Sequence, residues 1–138
     1  MAIAIKRIYE PATPGDGYRV LVDRLWPRGV SKATAAVDLW LRDVAPSTAL
    51  RTWFNHDPDK WTEFRARYQA ELRRNGGALE PLVTKAKQVR VTLVYSARDD
   101  HHNQAVVLKA FLAPRLRTTR SRSKVKGEKL VGFRDAGQ

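Results

Sequence analysis

Apolar and polar positions along the chain predict three strands. A weak two-residue alternation predicts the first strand over residues 3–9. Residues 18–25 have a continuous apolar centre, Val-Leu-Val, which is typical of a strand covered on both faces. Residues 89–95, VRVTLVY, are rich in β-branched side chains and predict the third strand. Strands covered on both faces imply helices on both sides of the sheet.

Helix signals fill the roughly 60 residues between the second and third strands. Ser47 and Asp57 can cap helices, and Pro58 suits a first helical position because its missing N–H group needs no partner there. Apolar residues recur at three- and four-residue spacing after both caps and again over residues 79–86. Residues 105–113 are apolar almost all round and predict a buried last helix. The predicted fold is a small three-layer α/β domain with a short, mainly parallel sheet.

This order of elements predicts where a ligand would bind. A long helical crossover between two apolar strands favours parallel pairing with a right-handed connection. The loops over residues 23–32 and 96–103 would then lie side by side at the carboxyl ends of their strands. Ligands of open α/β sheets bind in the crevice at that edge. The two most polar segments of the chain are therefore expected to form one site.

The first of these loops concentrates charge around a Trp-Pro-Arg-Gly turn. An arginine can donate paired hydrogen bonds to a carboxylate or phosphate, and Ser31 adds a hydroxyl group. The G-x-x-x-x-G-K-[ST] spacing is absent, so no nucleoside triphosphate site is predicted. The alternative is a structural network in which Asp23 pairs with Arg24 or Arg28. The predicted ligand-binding residues are Asp23, Arg24, Trp26, Arg28, Ser31, Lys32, Tyr95, Ser96 and Asn103.

The second loop contains candidate acid–base chemistry. His102 could act as a base, Asp99 could orient it, and Arg28 could stabilise developing negative charge in a hydrolase or transferase reaction. The alternative is that Asp99 or Asp100 caps the last helix and the histidines are exposed. Neighbouring helical residues point about 100° apart, so at most one of His101 and His102 would face the crevice.

Metal binding is not predicted, and neither is a cofactor. No two histidines have the i, i+4 spacing that allows two imidazoles to share an ion on a helix. Of the four tryptophans, Trp26 is the one predicted to contact a ligand, while Trp53 and Trp61 lie on apolar helical stripes and are predicted to be core residues.

Composition changes the expected partners more than the expected fold. The 138 residues suit one domain, and the absence of cysteine excludes disulfides and a cysteine nucleophile. The chain contains no long apolar segment and no signal-like apolar region after Met1, so a soluble cytoplasmic protein without a membrane partner is expected. Half of the net charge of +12 lies in residues 114–138, which are predicted to form a flexible basic tail beyond the domain of residues 1–113.

Three segments together resemble a known family. They are YRVLVDRLWPRGVSK, APSTALRTWFNHDPDKWTEFRARYQAEL and VTLVYSARDDHHNQAVVLKAFL. In order and spacing they are similar to the YeaO-like family of bacterial proteins, within domain of unknown function 488, over roughly residues 3–113. The resemblance implies a small cytoplasmic α/β protein and transfers no agreed activity. The wider group often has a Cys-His pair opening its last helix, where this chain has Asn103 and Gln104, so thiol chemistry is not implied.

Two functions from different classes are favoured on the sequence, and a purely structural or protein-interaction role is a third possibility. The first is binding of a small phosphate- or nucleotide-containing anion in the strand-end crevice, with or without hydrolase or transferase activity. The second is a nucleic-acid accessory protein whose basic surface and tail bind phosphates without catalysis. The oligomeric state is not predicted.

Overall fold

The computed structural model describes residues 3–125, with side chains as far as Leu116. Its sheet contains β1 (Ile3–Arg7), β2 (Tyr18–Leu21), β3 (Leu39–Trp40) and β4 (Val91–Tyr95). The strand order is β1-β4-β2-β3 and every pair is parallel. The predicted pairing of the second and third apolar segments is therefore confirmed, because β2 and β4 are direct neighbours in the sheet.

Five α-helices accompany the sheet in the described residues. They are α1 (Lys32–Ala35), α2 (Thr48–Phe54), α3 (Trp61–Arg74), α4 (Gly76–Gln88) and α5 (Gln104–Val125). The predicted caps are confirmed, since the Ser47 hydroxyl accepts a hydrogen bond from the Leu50 N–H at 3.1 Å. Asp57 caps a short 3-10 turn, Pro58–Lys60, that leads directly into α3. The small three-layer α/β fold with a mainly parallel sheet is confirmed.

The alternation of side chains divides the core between the two faces of the sheet. Val20 and Leu93 belong to the larger cluster, which packs against α2, α3, α4 and α5. Leu21 and Val94 point the other way and form a smaller cluster with Ile8 and Ala35. Both faces of β2 and β4 are therefore covered, as their continuous apolar runs predict.

The face of the sheet that carries the smaller cluster also contains a buried ion network. Asp16 accepts hydrogen bonds from Lys6 Nζ at 3.0 Å and from Arg19 Nη1 at 2.6 Å, and Arg19 is only 3% exposed. Burial alone would raise the pKa of Asp16, but hydrogen bonds from Thr13, Lys6 and Arg19 hold it well below its usual range. Arg19 also donates to the carbonyl oxygen atoms of Ala35 and Ala36, so the network joins β2 to α1.

The structure differs from the sequence-based expectation in three places. The strands β1, β2 and β4 are shorter than predicted, and β3 was missed because its two residues show no periodicity. The last helix continues to Val125 instead of ending at residue 113, so the helix includes the first part of the predicted tail. The prediction of a flexible tail over residues 126–138 lies outside the described residues.

Within residues 3–125, no helix combines the length and the apolar character that crossing a bilayer requires.

Candidate functional site

A cleft of about 710 Å³ opens at the carboxyl ends of β2 and β4. One wall is the segment that follows β2, and the opposite wall is the segment that joins β4 to α5. The predicted convergence of the two polar loops is thus present in the structure. Of the predicted site residues, the cleft is lined by Asp23, Arg24, Trp26, Arg28, Ser96, Asp99, His102 and Asn103.

Positive charge dominates the cleft. Four arginines line it, against the two carboxyl groups of Asp23 and Asp99. Arg28, Arg51 and Arg98 are exposed, and within the described residues their guanidinium groups form neither a hydrogen bond nor an ion pair. Because these three guanidinium groups form no hydrogen bond or ion pair, their N–H donors are available to an anion.

Asp23 lies at the buried side of the cleft and is 7% exposed. Its Oδ1 atom accepts a hydrogen bond from Gln104 Nε2 at 2.5 Å. Burial raises the pKa of Asp23, while hydrogen bonds from Ser96 and Gln104 and the charge of Arg51 only partly oppose that rise. No cation lies within ion-pair distance of its carboxylate in the part of the chain that the structure describes, so the alternative in which Asp23 pairs with Arg24 or Arg28 is wrong.

Arg24 and Trp26 hold the wall in place as well as lining it. Arg24 donates from Nε to the Pro46 carbonyl and from Nη2 to the Ala45 carbonyl, both at 3.1 Å. Trp26 donates from its indole Nε1 to the Val30 carbonyl at 2.7 Å, which closes the turn. The ring of Trp26 also packs edge to face on Trp40 in β3. Arg24 therefore contributes charge from a fixed position, and Arg28 is the freer of the two.

The segment before α5 presents one histidine to the cleft. Asp99 accepts backbone hydrogen bonds from His101 and His102, and these, together with the His102 side chain, lower the pKa of Asp99. His102 Nδ1 lies 2.8 Å from Asp99 Oδ2. Since an ionised carboxylate can only accept, Nδ1 carries the proton and Nε2 is left for another partner. His101 does not line the cleft, as expected for adjacent residues.

Asn103, and neither Asp99 nor Asp100, caps the last helix. Its Oδ1 atom accepts from the Val106 N–H at 3.1 Å, and its Nδ2 donates to the Asp99 carbonyl at 2.9 Å. Asp99 instead closes the preceding turn. The side-chain amide of Asn103 is thus occupied within the protein, although the residue borders the cleft.

Three predicted ligand-binding residues lie away from the cleft. Ser31 caps α1, where its hydroxyl accepts from the Thr34 N–H at 3.1 Å, and Lys32 is the exposed first residue of that helix. Tyr95 is 2% exposed and packs in the larger core cluster, and this burial raises the pKa of its hydroxyl. The strand alternation places the Tyr95 ring in the core cluster, so Tyr95 does not line the cleft, although its hydroxyl forms a hydrogen bond with Asn103 at the border of the cleft.

A third wall of the cleft was missed by the sequence analysis. It is formed by residues that follow β3 or lie on α2 and α3: Ala45, Pro46, Arg51, Phe54, His56 and Phe64. Because β3 is parallel to β2, its carboxyl end meets the same edge of the sheet. Recognising that short strand would have placed Arg51 at the cleft.

The residue types at the cleft do not form a metal centre. Among residues 3–125, no three of the potential ligands His, Asp and Glu are grouped closely enough to hold an ion.

Comparison with known proteins identifies relatives without an assigned activity. A family model described as the inactive DUF488-N3 subclade matches residues 2–128. The protein YeaO of Escherichia coli is 44% identical over 112 residues, which covers 81% of this chain and 97% of that protein. The proteins Mb3100c of Mycobacterium bovis and Rv3073c of Mycobacterium tuberculosis are each 42% identical over 110 residues, covering 80% of this chain and 92% of theirs. All three are described as uncharacterised. No solved structure matches the chain.

Proposed function

The chain belongs to the inactive DUF488-N3 subclade, its resemblance to the YeaO-like proteins is confirmed, and we propose that it is a binding protein for a small anion that contains a phosphate or nucleotide group. The ligand would occupy the cleft at the carboxyl ends of β2 and β4. The observation that carries the proposal is that the guanidinium groups of Arg28, Arg51 and Arg98, which line one cleft, form no hydrogen bond or ion pair among the described residues.

The physical chemistry of these groups supports an anion over other ligands. Arginine remains charged at all physiological pH values and presents several N–H donors in one plane, which matches phosphate oxygen atoms. His102 Nδ1 is engaged by Asp99 Oδ2, which leaves Nε2 for a hydrogen bond with a ligand. The arginines come from three separate segments of the chain, so only the folded protein brings them together.

The proposal is for binding without turnover. The positions that open the last helix hold Asn103 and Gln104, and both side-chain amides already hydrogen bond within the protein. The family description "inactive" agrees with that arrangement. The pair of His102 and Asp99 would then orient a ligand through Nε2 instead of activating a nucleophile.

Titration calorimetry with inorganic phosphate, pyrophosphate and AMP at constant ionic strength tests this proposal. Arg28→Ala is expected to weaken binding by about tenfold or more, because it removes charge-assisted hydrogen bonds. Arg73→Ala removes another exposed arginine, one that does not line the cleft, and is the matched control. Equal losses in the two variants, or no binding of any of the three anions, would contradict the proposal.

A second candidate function rests on a separate observation. Residues 115–124 contain five Lys and Arg residues and no acid, and they lie in the last part of α5. A basic extension of this kind can bind nucleic-acid phosphates through release of counterions. This candidate does not require the cleft, so the two functions can be separated experimentally.

A further inference from the structure

The cleft has apolar lining residues that a phosphate group alone would not use. Eight of its lining residues are apolar: Leu25, Trp26, Pro27, Ala45, Pro46, Phe54, Phe64 and Ala97. A volume of about 710 Å³ lies in the range of sites for whole cofactors and drug-sized molecules. Bound inorganic phosphate would leave most of that surface in contact with water.

Leu25 is the apolar lining residue whose side chain is most available to contact a ligand. Its side chain is 64% exposed, which makes it the most exposed large apolar residue in the described part of the chain. It lies directly between Arg24, whose guanidinium is braced by the Pro46 and Ala45 carbonyls, and Trp26, whose ring is fixed by Val30 and Trp40. Both neighbours are held, so Leu25 projects from a rigid turn.

The third wall of the cleft contains a fixed aromatic cluster whose phenylalanines are almost buried, with Phe54 5% and Phe64 2% exposed. Phe54 is stacked on Phe64 with ring centroids 4.2 Å apart, and Trp61 packs against both rings. Trp61 also packs edge to face on His102, with ring centroids 5.1 Å apart. A continuous aromatic cluster thus extends from the core to the imidazole that borders the cleft.

We infer that the ligand is an anion that also carries a flat apolar or aromatic ring, with its charged group at the arginines and its ring against the exposed side chain of Leu25. This inference rests on the proposed function, because it assigns the remaining surface of the same cleft. A nucleotide and an aryl phosphate share this chemistry, since each joins a flat ring to an anionic group. Ring burial contributes affinity, and the arginines select the charge.

Ligands that differ only in the ring test the inference. AMP is compared with ribose 5-phosphate, and phenyl phosphate with methyl phosphate, by titration calorimetry at one ionic strength. Each ring-bearing ligand is expected to bind about tenfold or more tightly than its partner, because burying one face of a ring removes apolar area from water. If AMP binds more tightly than ribose 5-phosphate but phenyl phosphate binds no more tightly than methyl phosphate, ring binding is still supported. The ring that the cleft recognises is then the nucleotide base.

Substitution at Leu25 then places the ring in the cleft. Leu25→Ala is expected to weaken AMP binding about fivefold while leaving ribose 5-phosphate unchanged. Val89→Ala is the control, since Val89 is an exposed apolar residue away from the cleft. If the sugar phosphate binds as tightly as AMP and Leu25→Ala has no effect, the ring assignment is overturned while the proposed function stands. If no ligand of the set binds, the proposed function itself fails.

Discussion

Two buried carboxyl groups near the sheet show how surroundings decide the behaviour of one residue type. Asp16 and Asp23 are each 7% exposed. Asp16 faces two cations, and its pKa falls, whereas Asp23 has only neutral partners and a more distant Arg51, and its pKa rises. The charge of Asp16 therefore stabilises the fold, and the charge of Asp23 opposes it.

Asp16→Asn is expected to destabilise the protein by about 3–5 kcal/mol, because Arg19 would remain buried without its counter-charge. The free energy of unfolding from urea titrations at neutral pH measures this loss. The exposed pair of Glu63 and Arg67 provides the control, since Glu63→Gln should cost less than about 1 kcal/mol. Similar losses in both variants would show that the Asp16 network contributes no more than a surface pair.

The pH dependence of the Asp16 contribution has a definite sign. Its pKa is lower in the folded state than the unfolded value of about 3.9, so its stabilisation is complete above that value and is lost as the pH falls below it. The wild-type protein should therefore lose more stability than Asp16→Asn between pH 5 and the acid limit of the titration.

Asp23 should show the opposite dependence. Its folded-state pKa is raised, so its contribution is most favourable below the unfolded pKa and declines as the pH rises through the folded pKa. Unfolding free energies of the wild type and Asp23→Asn, measured from pH 4 to 8, should therefore shift in favour of the variant as the pH increases. A constant difference between the two proteins over that range would show that Asp23 is not perturbed.

At the scale of elements, close approach of the backbone fixes the start of β2. Gly17 has φ +67°, and a Cβ atom there would lie 2.5 Å from the Arg90 carbonyl oxygen. That same carbonyl accepts the Tyr18 N–H at 2.9 Å, which begins the pairing of β2 with β4. The short loop before β2 therefore requires a glycine at position 17, both because φ is positive there and because a Cβ atom would collide with the Arg90 carbonyl.

A pair of glycine variants separates these two requirements. Gly29 also has positive φ, +77°, but no atom lies within 4 Å of a Cβ added there. Gly29→Ala should cost about 1–2 kcal/mol from backbone strain alone. Gly17→Ala should cost clearly more, because the carbonyl that it would displace is held in the sheet. Thermal and urea unfolding of both variants compares the costs, and an equal cost would mean that the strand start shifts freely.

How well each element could be predicted depended on how much apolar pattern it carries. The β2 and β4 segments and the caps Ser47 and Asp57 were predicted because each is marked by local residues. The β3 strand consists of two residues, stabilised through pairing with Val20 and Leu21, so only tertiary structure defines it. A serine hydroxyl can either cap a helix or bind a ligand, so the sequence could not show that Ser31 is a cap.

At the scale of the whole molecule, the site was predictable to the extent that topology determines it. Parallel pairing of β2 and β4 was sufficient to bring Arg28 and His102 to one cleft. Arg51 and Phe54 reach the same cleft only because β3 joins the sheet edge and α2 follows it. Long-range placement of this kind leaves no mark in local sequence.

The two candidate functions make different demands on the whole chain, and one truncation separates them. Residues 117–138 contain seven Lys and Arg residues and only two acids. Leu116 packs against the core, and none of the described side chains after Gln104 lines the cleft. Truncation after Leu116 should therefore leave phosphate and AMP binding unchanged. It should weaken binding to a short DNA duplex and flatten the salt dependence of that binding, since fewer counterions are released.

Arg28→Ala in the full chain supplies the reciprocal measurement. It should reduce anion binding in the cleft while lowering DNA affinity no more than Arg73→Ala does, because each variant removes one exposed charge. Fluorescence anisotropy with DNA at several salt concentrations, beside calorimetry with AMP, gives both values for each protein. If truncation abolishes AMP binding, the cleft is not an independent site. If Arg28→Ala reduces DNA binding far more than Arg73→Ala, the cleft itself is the nucleic-acid surface, and the basic end of α5 is not its main contact.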